Sequence, residues 1–316
     1  MPKYSGKMTS QGGSIPVELI RAARREEMLG FEEHKVYHHV TREEAEADAT
    51  GKFIGVRWVD RNKGTPEKPN ARSRLVGQEF AEKGRRDDLF APTPPLIAAR
   101  MLVSKCASDG ERGRGSRLML LDVKKAFLYG HIRRNVYIEL PDEDPMSKSG
   151  ELVGKLDKAM YGTRDAPAMW QEHLEGTFKE ARFTPSKVAP CVYFHPELHV
   201  CAVAHVDDVL FEGRREALDE ILKRLRTTYA LKAEILGPDK ERGEVREGRF
   251  LGRTIYWGEF GLTWSGDTKL VDEMLRDWKL EDSNSAITPG TCEDDNTKRD
   301  SPMSASEAFS LQRFCS

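Results

Sequence analysis

The stretches LMLLDVKKAFLYG (118–130) and CAVAHVDDVLFEG (201–213) constrain the fold more than any other part of the chain. Each sets carboxylates at the end or tip of an otherwise apolar run, and a run of that kind reads as a strand buried on both faces. Charge is costly in such a place unless a cation sits beside it. A lone Asp pair in a hairpin is ordinary turn chemistry. Here the apolar sequence on both sides changes the reading: a two-residue turn between CAVAHV and VLF thrusts Asp207 and Asp208 together from its tip. Like charges that close need a counter-ion or a shared proton. Asp122, which ends the run LMLL, is the third carboxylate such a site requires.

Magnesium is the cation these residues suit. It takes hard oxygen ligands and leaves the rest of its octahedron to waters and substrate phosphates, so a few carboxylates suffice. Two such ions about 3.5–4 Å apart can activate an attacking oxygen and stabilise a leaving one during phosphoryl transfer. The chemistry indicated is nucleotidyl transfer with two magnesium ions, manganese being the natural substitute.

Composition bounds the rest. A chain of 316 residues with 38% hydrophobic and 8% aromatic residues can bury a substantial core, which excludes wholesale disorder. No apolar run reaches membrane-spanning length and the N-terminus MPKYSGKMTSQGGS is basic and polar, so an intracellular, unsecreted protein is expected, cytoplasmic or nuclear, with no membrane partner. Cys106, Cys191, Cys201, Cys292 and Cys315 are odd in number and lack CxxC spacing, against a zinc site or a disulfide framework. His34, His38 and His39 cluster without Cys partners or HExxH spacing, and a surface or helix-end role is preferred to a metal site. The net charge of −2 argues mildly against nucleic-acid binding. Between Arg57 and Arg86, however, basic residues outnumber acids, so the chain carries a local electropositive hairpin that is either a solvated face or a phosphate-binding one.

The periodicities predict a helix over Pro16–Phe31 and a short second helix capped by Thr41 with Glu44 three residues on. A hairpin of KFIGVRWVD and ARSRLVGQEF should turn through NKGTPEKPN, followed by a helix over Ala98–Ala107 and a flexible connector, SDGERGRGS. VYIELP reads as a strand, and Pro167 opens a helix whose Trp170, Leu174 and Phe178 share a face. Three further strands follow in PCVYFHP and CAVAHVDDVLFEG, then an amphipathic helix with Leu218, Ile221, Leu222 and Leu225. That order approaches a split βαβ arrangement. RFLGRTIYW and GLTWSG make one more hairpin, Asp267–Trp278 a last helix, and residues 282–316 a linker or tail.

The segments DVKKAFLYGHIRRNVYIELP, KAMYGTRDAPAMW, HVDD and FLGRTI, in this order and spacing, resemble the reverse transcriptase of Ty1/copia retrotransposon Pol polyproteins. WVDRNKG with RSRLVGQEF resembles that family's fingers hairpin, so the likeness spans roughly residues 17–290. It implies an α+β right-hand polymerase: a disordered N-terminus (1–15), fingers (16–117), a palm with a split βαβ, ferredoxin-like antiparallel sheet (118–265), a small partial thumb (266–281) and a tail (282–316). Asp122, Asp207 and Asp208 match the family's metal-binding catalytic carboxylates, with the Val123 backbone oxygen completing the metal shell. Phe127 matches the aromatic that stacks beneath the incoming sugar and excludes a 2′-hydroxyl, or else is an ordinary core Phe. Arg72 and Arg74 fall where basic residues reach the triphosphate, a contact that suits planar guanidinium groups. Tyr161 and Gly162 match the loop that supports the incoming base, and Phe250, Leu251 and Gly252 the primer grip.

Two departures stand out: Asp165 replaces the family's usual Gln and Gln78 its usual Lys. His205 takes the place of the usual Tyr and is assigned no role. No second carboxylate cluster, HHCC element or DTG triplet is present, so a piece of a larger polyprotein is expected, with ribonuclease H and integrase supplied separately. The expected partners are an RNA template, a DNA or RNA primer and deoxynucleoside triphosphates. A catalytically silent remnant that binds nucleic acid or a protein partner is the alternative.

Overall fold

The structure, a computed structural model, describes residues 15–65, 67–79, 94–111, 115–266 and 268–283. The expected disordered N-terminus lies outside the described residues as far as residue 14, and so does the expected tail from residue 284.

The chain opens with α1 (Val17–His34), whose first turn is closed by the Pro16 carbonyl and which ends where Lys35 turns left-handed. It continues through β1 (Tyr37–Thr41), α2 (Arg42–Ala47), β2 (Lys52–Ile54), β3 (Val56–Asn62), β4 (Ala71–Gly77) and α3 (Leu96–Glu111). Next come β5 (Ser116–Val123), β6 (Val136–Ile138), β7 (Leu152–Leu156), α4 (Ala166–Glu180), β8 (Thr184–Pro185), β9 (Val192–His195), β10 (Val200–His205) and β11 (Asp208–Arg214). The last elements are α5 (Arg215–Leu225), β12 (Leu231–Leu236), β13 (Glu247–Phe250), β14 (Arg253–Trp257), β15 (Leu262–Ser265) and α6 (Thr268–Asp277). The class is mixed α+β. The capping residue expected for α2 is in place, Thr41 Oγ1 accepting the Glu44 N–H at 3.1 Å.

A six-stranded antiparallel sheet, in the order β12-β5-β11-β10-β9-β8, is the centre of the molecule. One face packs Met119, Leu121, Val209 and Phe211 against Trp170, Leu174 and Phe178 of α4 and Leu218, Ile221 and Leu225 of α5. The other packs Leu118, Leu120, Val203 and Leu210 against Leu102, Val103 and Cys106 of α3 and Phe250 and Ile255 of the β13-β14-β15 sheet. Cover on both faces explains why the two segments are apolar without alternation. Burying a Leu or Phe side chain contributes about 1.5–3 kcal/mol, so these two layers fix where the strand ends fall.

Three expectations need correction. KFIGVRWVD is not one strand: Gly55 interrupts it, sending β2 into a four-stranded sheet, β1-β7-β6-β2, and β3 into the hairpin with β4. Gly55 instead offers its carbonyl to the Gln78 N–H at 2.7 Å, which closes the base of that hairpin. The connector expected after Ala107 begins later, because α3 runs on to Glu111 and Ser116 already belongs to β5. The last hairpin is a three-stranded meander. The edge strand β12 lies outside the expected elements, its six residues being short and mixed in character.

Candidate active site

β5 and β11 run antiparallel in a register that sets Asp122 directly opposite Asp208. Asp208 is therefore the first residue of a strand and not part of the turn, which consists of Val206 and Asp207 between the paired His205 and Asp208. The Val123 N–H donates to the Asp207 carbonyl at 2.9 Å, tying the turn to the end of β5. Val123 itself is buried.

Electrostatics show how closely the carboxylates share this space. Burial, then the charges of Asp207 and Asp122, push Asp208 up to about 6. Asp122 is also raised, first by desolvation and then by Asp207, while Arg72, Lys232 and Lys124 pull it back. Lys232 lies opposite Asp122 on β12. Among the described residues no three His, Cys, Asp or Glu side chains already stand as a closed metal-binding cluster. The donor set nevertheless fits magnesium, which needs only one or two carboxylate oxygens besides water and substrate phosphate.

Two recesses bear on the site, and the carboxylates line the first of them. One is lined by Asp122, Asp208, Lys232, Arg249 and Phe250, so the strand carrying Phe250 borders the acidic pair. Phe250 is buried in the core, whereas Leu251 and Gly252 form the two-residue turn into β14 with φ of 51° and 67°. Both central residues left-handed is the type I′ pattern, and Gly takes that conformation without strain.

The other recess is lined by Arg61, Lys63, Arg72, Arg74 and Tyr161 on one face of the β3–β4 hairpin. Arg72 and Arg74 fall on the same face because they are two residues apart in β4, and the alternate residues Ser73 and Leu75 are buried beneath them. The Arg74 guanidinium lies 4.6 Å from the Tyr161 ring centre. Tyr161 meets Phe127 edge-on at 5.4 Å, and burial pushes its hydroxyl up to about 12 against the opposing pull of Arg74 and Arg72. Phe127 sits in the 3-10 turn Ala126–Tyr129, half-buried, and also packs against core residues. The structure thus brings Phe127, Tyr161, Arg72 and Arg74 into one connected group. Arg72 reaches the carboxylates through its field on Asp122.

Gly162 is required where it stands. Its φ is 84°, and a Cβ there would lie 2.1 Å from the Gly77 carbonyl oxygen, because the Gly77 N–H donates to the Tyr161 carbonyl at 2.7 Å. That close approach locks the Tyr161 loop to the end of β4.

Sequence reasoning missed what holds this group in place. Arg134 forks to both Glu79 oxygens at 2.7 and 2.6 Å and to both Asp165 oxygens at 2.9 Å, joining the end of the hairpin to the start of α4. Glu79 also accepts the Arg164 N–H at 2.9 Å. Although burial opposes it, the Arg134 pair and that N–H hold the Glu79 carboxyl below its ordinary value. Asp165 is therefore committed to a structural ion pair, and the only sequence signal was its being out of place. The histidines are dispersed: His38 pairs with Asp157, His39 with Asp144, and His34 meets the Tyr129 ring edge-on.

Comparison with known proteins bears on the family of the chain. The model of the family described as "Reverse transcriptase (RNA-dependent DNA polymerase)" matches residues 39–290. The retrovirus-related Pol polyprotein from transposon TNT 1-94 of Nicotiana tabacum is 26% identical over 277 residues, 84% of this chain and 19% of that protein. The Transposon Ty1-MR1 Gag-Pol polyprotein of Saccharomyces cerevisiae is 28% identical over 123 residues, 38% of this chain and 7% of that one. The chain therefore spans under a fifth of the length of these relatives. Among solved structures, an apo telomerase from Candida tropicalis truncated from its C-terminal domain superposes with a TM-score of 0.41 at 8% identity, covering 77% of this chain and 60% of that one, too loose a likeness to carry an argument. The family match over most of the chain, with the relatives beside it, makes this chain a member of the reverse transcriptase (RNA-dependent DNA polymerase) family, of the Ty1/copia retrotransposon type.

Proposed function

We propose that this chain is the polymerising piece of a retrotransposon Pol polyprotein, copying an RNA template by joining a primer 3′-hydroxyl to the α-phosphate of a deoxynucleotide. The observation that carries the proposal is the strand register opposing Asp122 to Asp208, with Asp207 beside them, at the end of a sheet buried on both faces. In this reading the six-stranded sheet with the β13–β15 meander is the palm (118–265), residues 16–117 are the fingers, and α6 belongs to a partial thumb (266–281).

Asp122, Asp207 and Asp208 with the Val123 carbonyl would hold two magnesium ions, or manganese in their place. Bound metal supplies Lewis acidity at the primer hydroxyl and at the departing pyrophosphate. The protein's own part is placement. Arg72 and Arg74 bind the triphosphate from the hairpin face, and fixed guanidinium groups suit that anion. Phe127, braced by Tyr161, lies beneath the sugar and disfavours a 2′-hydroxyl. The Tyr161–Gly162 loop supports the base, and the Phe250–Gly252 turn carries the primer end along the groove shared with the carboxylates. Template, primer and deoxynucleoside triphosphates are the partners, with ribonuclease H and integrase elsewhere in the polyprotein; the setting is intracellular.

A silent remnant that still binds nucleic acid is the second reading, favoured by Asp165, whose carboxylate is taken up by Arg134. Extension of a primed RNA template with magnesium separates the two. The unaltered chain should extend the primer and D207N/D208N should not. Folded protein that binds the template but never extends it would establish the remnant.

A further inference from the structure

The turn that carries Asp207 is strained. Val206 has a φ of 53°. A β-branched side chain rarely adopts that conformation, and such strain persists only where the surroundings over-determine it. With His205 paired to Asp208 and only the first loop residue left-handed, the turn is of the II′ kind, for which Gly and not Val is the ordinary occupant.

Two contacts over-determine it. One is the Val123 N–H on the Asp207 carbonyl. The other comes from α4: the Trp170 indole N–H donates to the Val206 carbonyl at 2.5 Å. Trp170 is 1% exposed and wedged among Tyr129, His173 and Tyr229, with ring centres 5.5–6.1 Å away. Its donor is thus aimed by packing on every side. The same helix starts at the loop bearing Tyr161 and Gly162, so a single bond joins the base-side loop to the carboxylate turn.

We propose that Trp170 is a positioning residue: its indole N–H holds Val206 left-handed and thereby sets the direction in which Asp207 and Asp208 present their carboxylates. This rests on the polymerase reading for its kinetic consequence, though not for its structural one.

The test replaces Trp170 with 3-benzothienylalanine, which keeps the shape of the indole and puts sulfur where the N–H was; W170F is the second variant. Protein labelled with carbonyl-13C valine and 15N aspartate gives one backbone correlation per Val–Asp pair, and the chain has three, at 59–60, 206–207 and 271–272. D207N identifies the middle one. The 206–207 correlation should move in both Trp170 variants while the other two stay, showing an intact fold. Single-nucleotide incorporation should lose about five- to tenfold in kcat, the size expected for one lost hydrogen bond, with the KM for deoxynucleotide within about twofold. V206G in the W170F background should recover kcat, because Gly adopts a positive φ without the bond. A 206–207 correlation that does not move overturns the proposal, as does one that moves while kcat is unchanged. If the unaltered chain incorporates nothing, the polymerase reading fails, and the correlation alone still decides whether the indole sets the turn.

Discussion

Asp208 shows what a site of this kind costs its own fold. Its carboxyl is raised from an ordinary 3.8 to about 6, so the folded chain binds that proton more tightly than the unfolded one. Stability from this group is complete below the ordinary value and is lost as pH rises through the folded one. D208N should therefore melt higher than the parent in metal-free buffer at pH 7.5, by about 1–2 kcal/mol after discounting for a part-exposed group, and the gap should close on acidification towards pH 4. A gap that widened on acidification would show that the carboxylate is stabilised in place. At Gly162 the constraint is steric. G162A meets both the positive φ and the Gly77 carbonyl, and should cost about 2–4 kcal/mol in denaturant unfolding. The carboxylates were legible in the sequence because charge inside an apolar run is conspicuous. Trp170 was legible only as a core residue on a helical face, since no periodicity reveals where an indole N–H points.

Among the elements, the β3–β4 hairpin depends on a fastening far from it in sequence. Arg134, in the loop before β6, pairs with Glu79 and Asp165, whose side chains are 2% and 9% exposed. Removing the cation takes the ionic partner from Asp165 and leaves Glu79 with Lys52, 3.4 Å away, and the Arg164 N–H, so R134M should lose about 3 kcal/mol by thermal unfolding. R134K should recover only part of this, because an ammonium cannot fork to two carboxylates. The triple variant R134M/E79Q/D165N should recover more, and its failure to do so would mean that the fork is not what holds the hairpin end. Hairpins, caps and amphipathic helices were legible because turn residues and apolar periods are local. The break at Gly55 was not, because the partners that separate β2 from β3 are β6 and β4, remote in sequence. β12 escaped for a similar reason: its place is fixed by pairing with β5.

At the scale of the molecule, a sheet covered on both faces ends in acid, and a hairpin of arginines lies where its field reaches that acid. The net charge of −2 conceals this, since the basic face and the acidic strand ends cancel in the sum. The α+β class was legible from the order of elements; the division of labour between the two faces required the register. The most direct measurement is single-turnover incorporation of one deoxynucleotide on a primed RNA template over a range of nucleotide concentrations, for the parent, D207N/D208N and R72M/R74M. Carboxylate loss should abolish the maximal rate at every concentration. Arginine loss should raise the nucleotide concentration needed for half-maximal rate by about tenfold or more while leaving extension measurable at saturation. Extension by D207N/D208N at the parental rate would contradict the account, because the carboxylates would then not be the site of reaction.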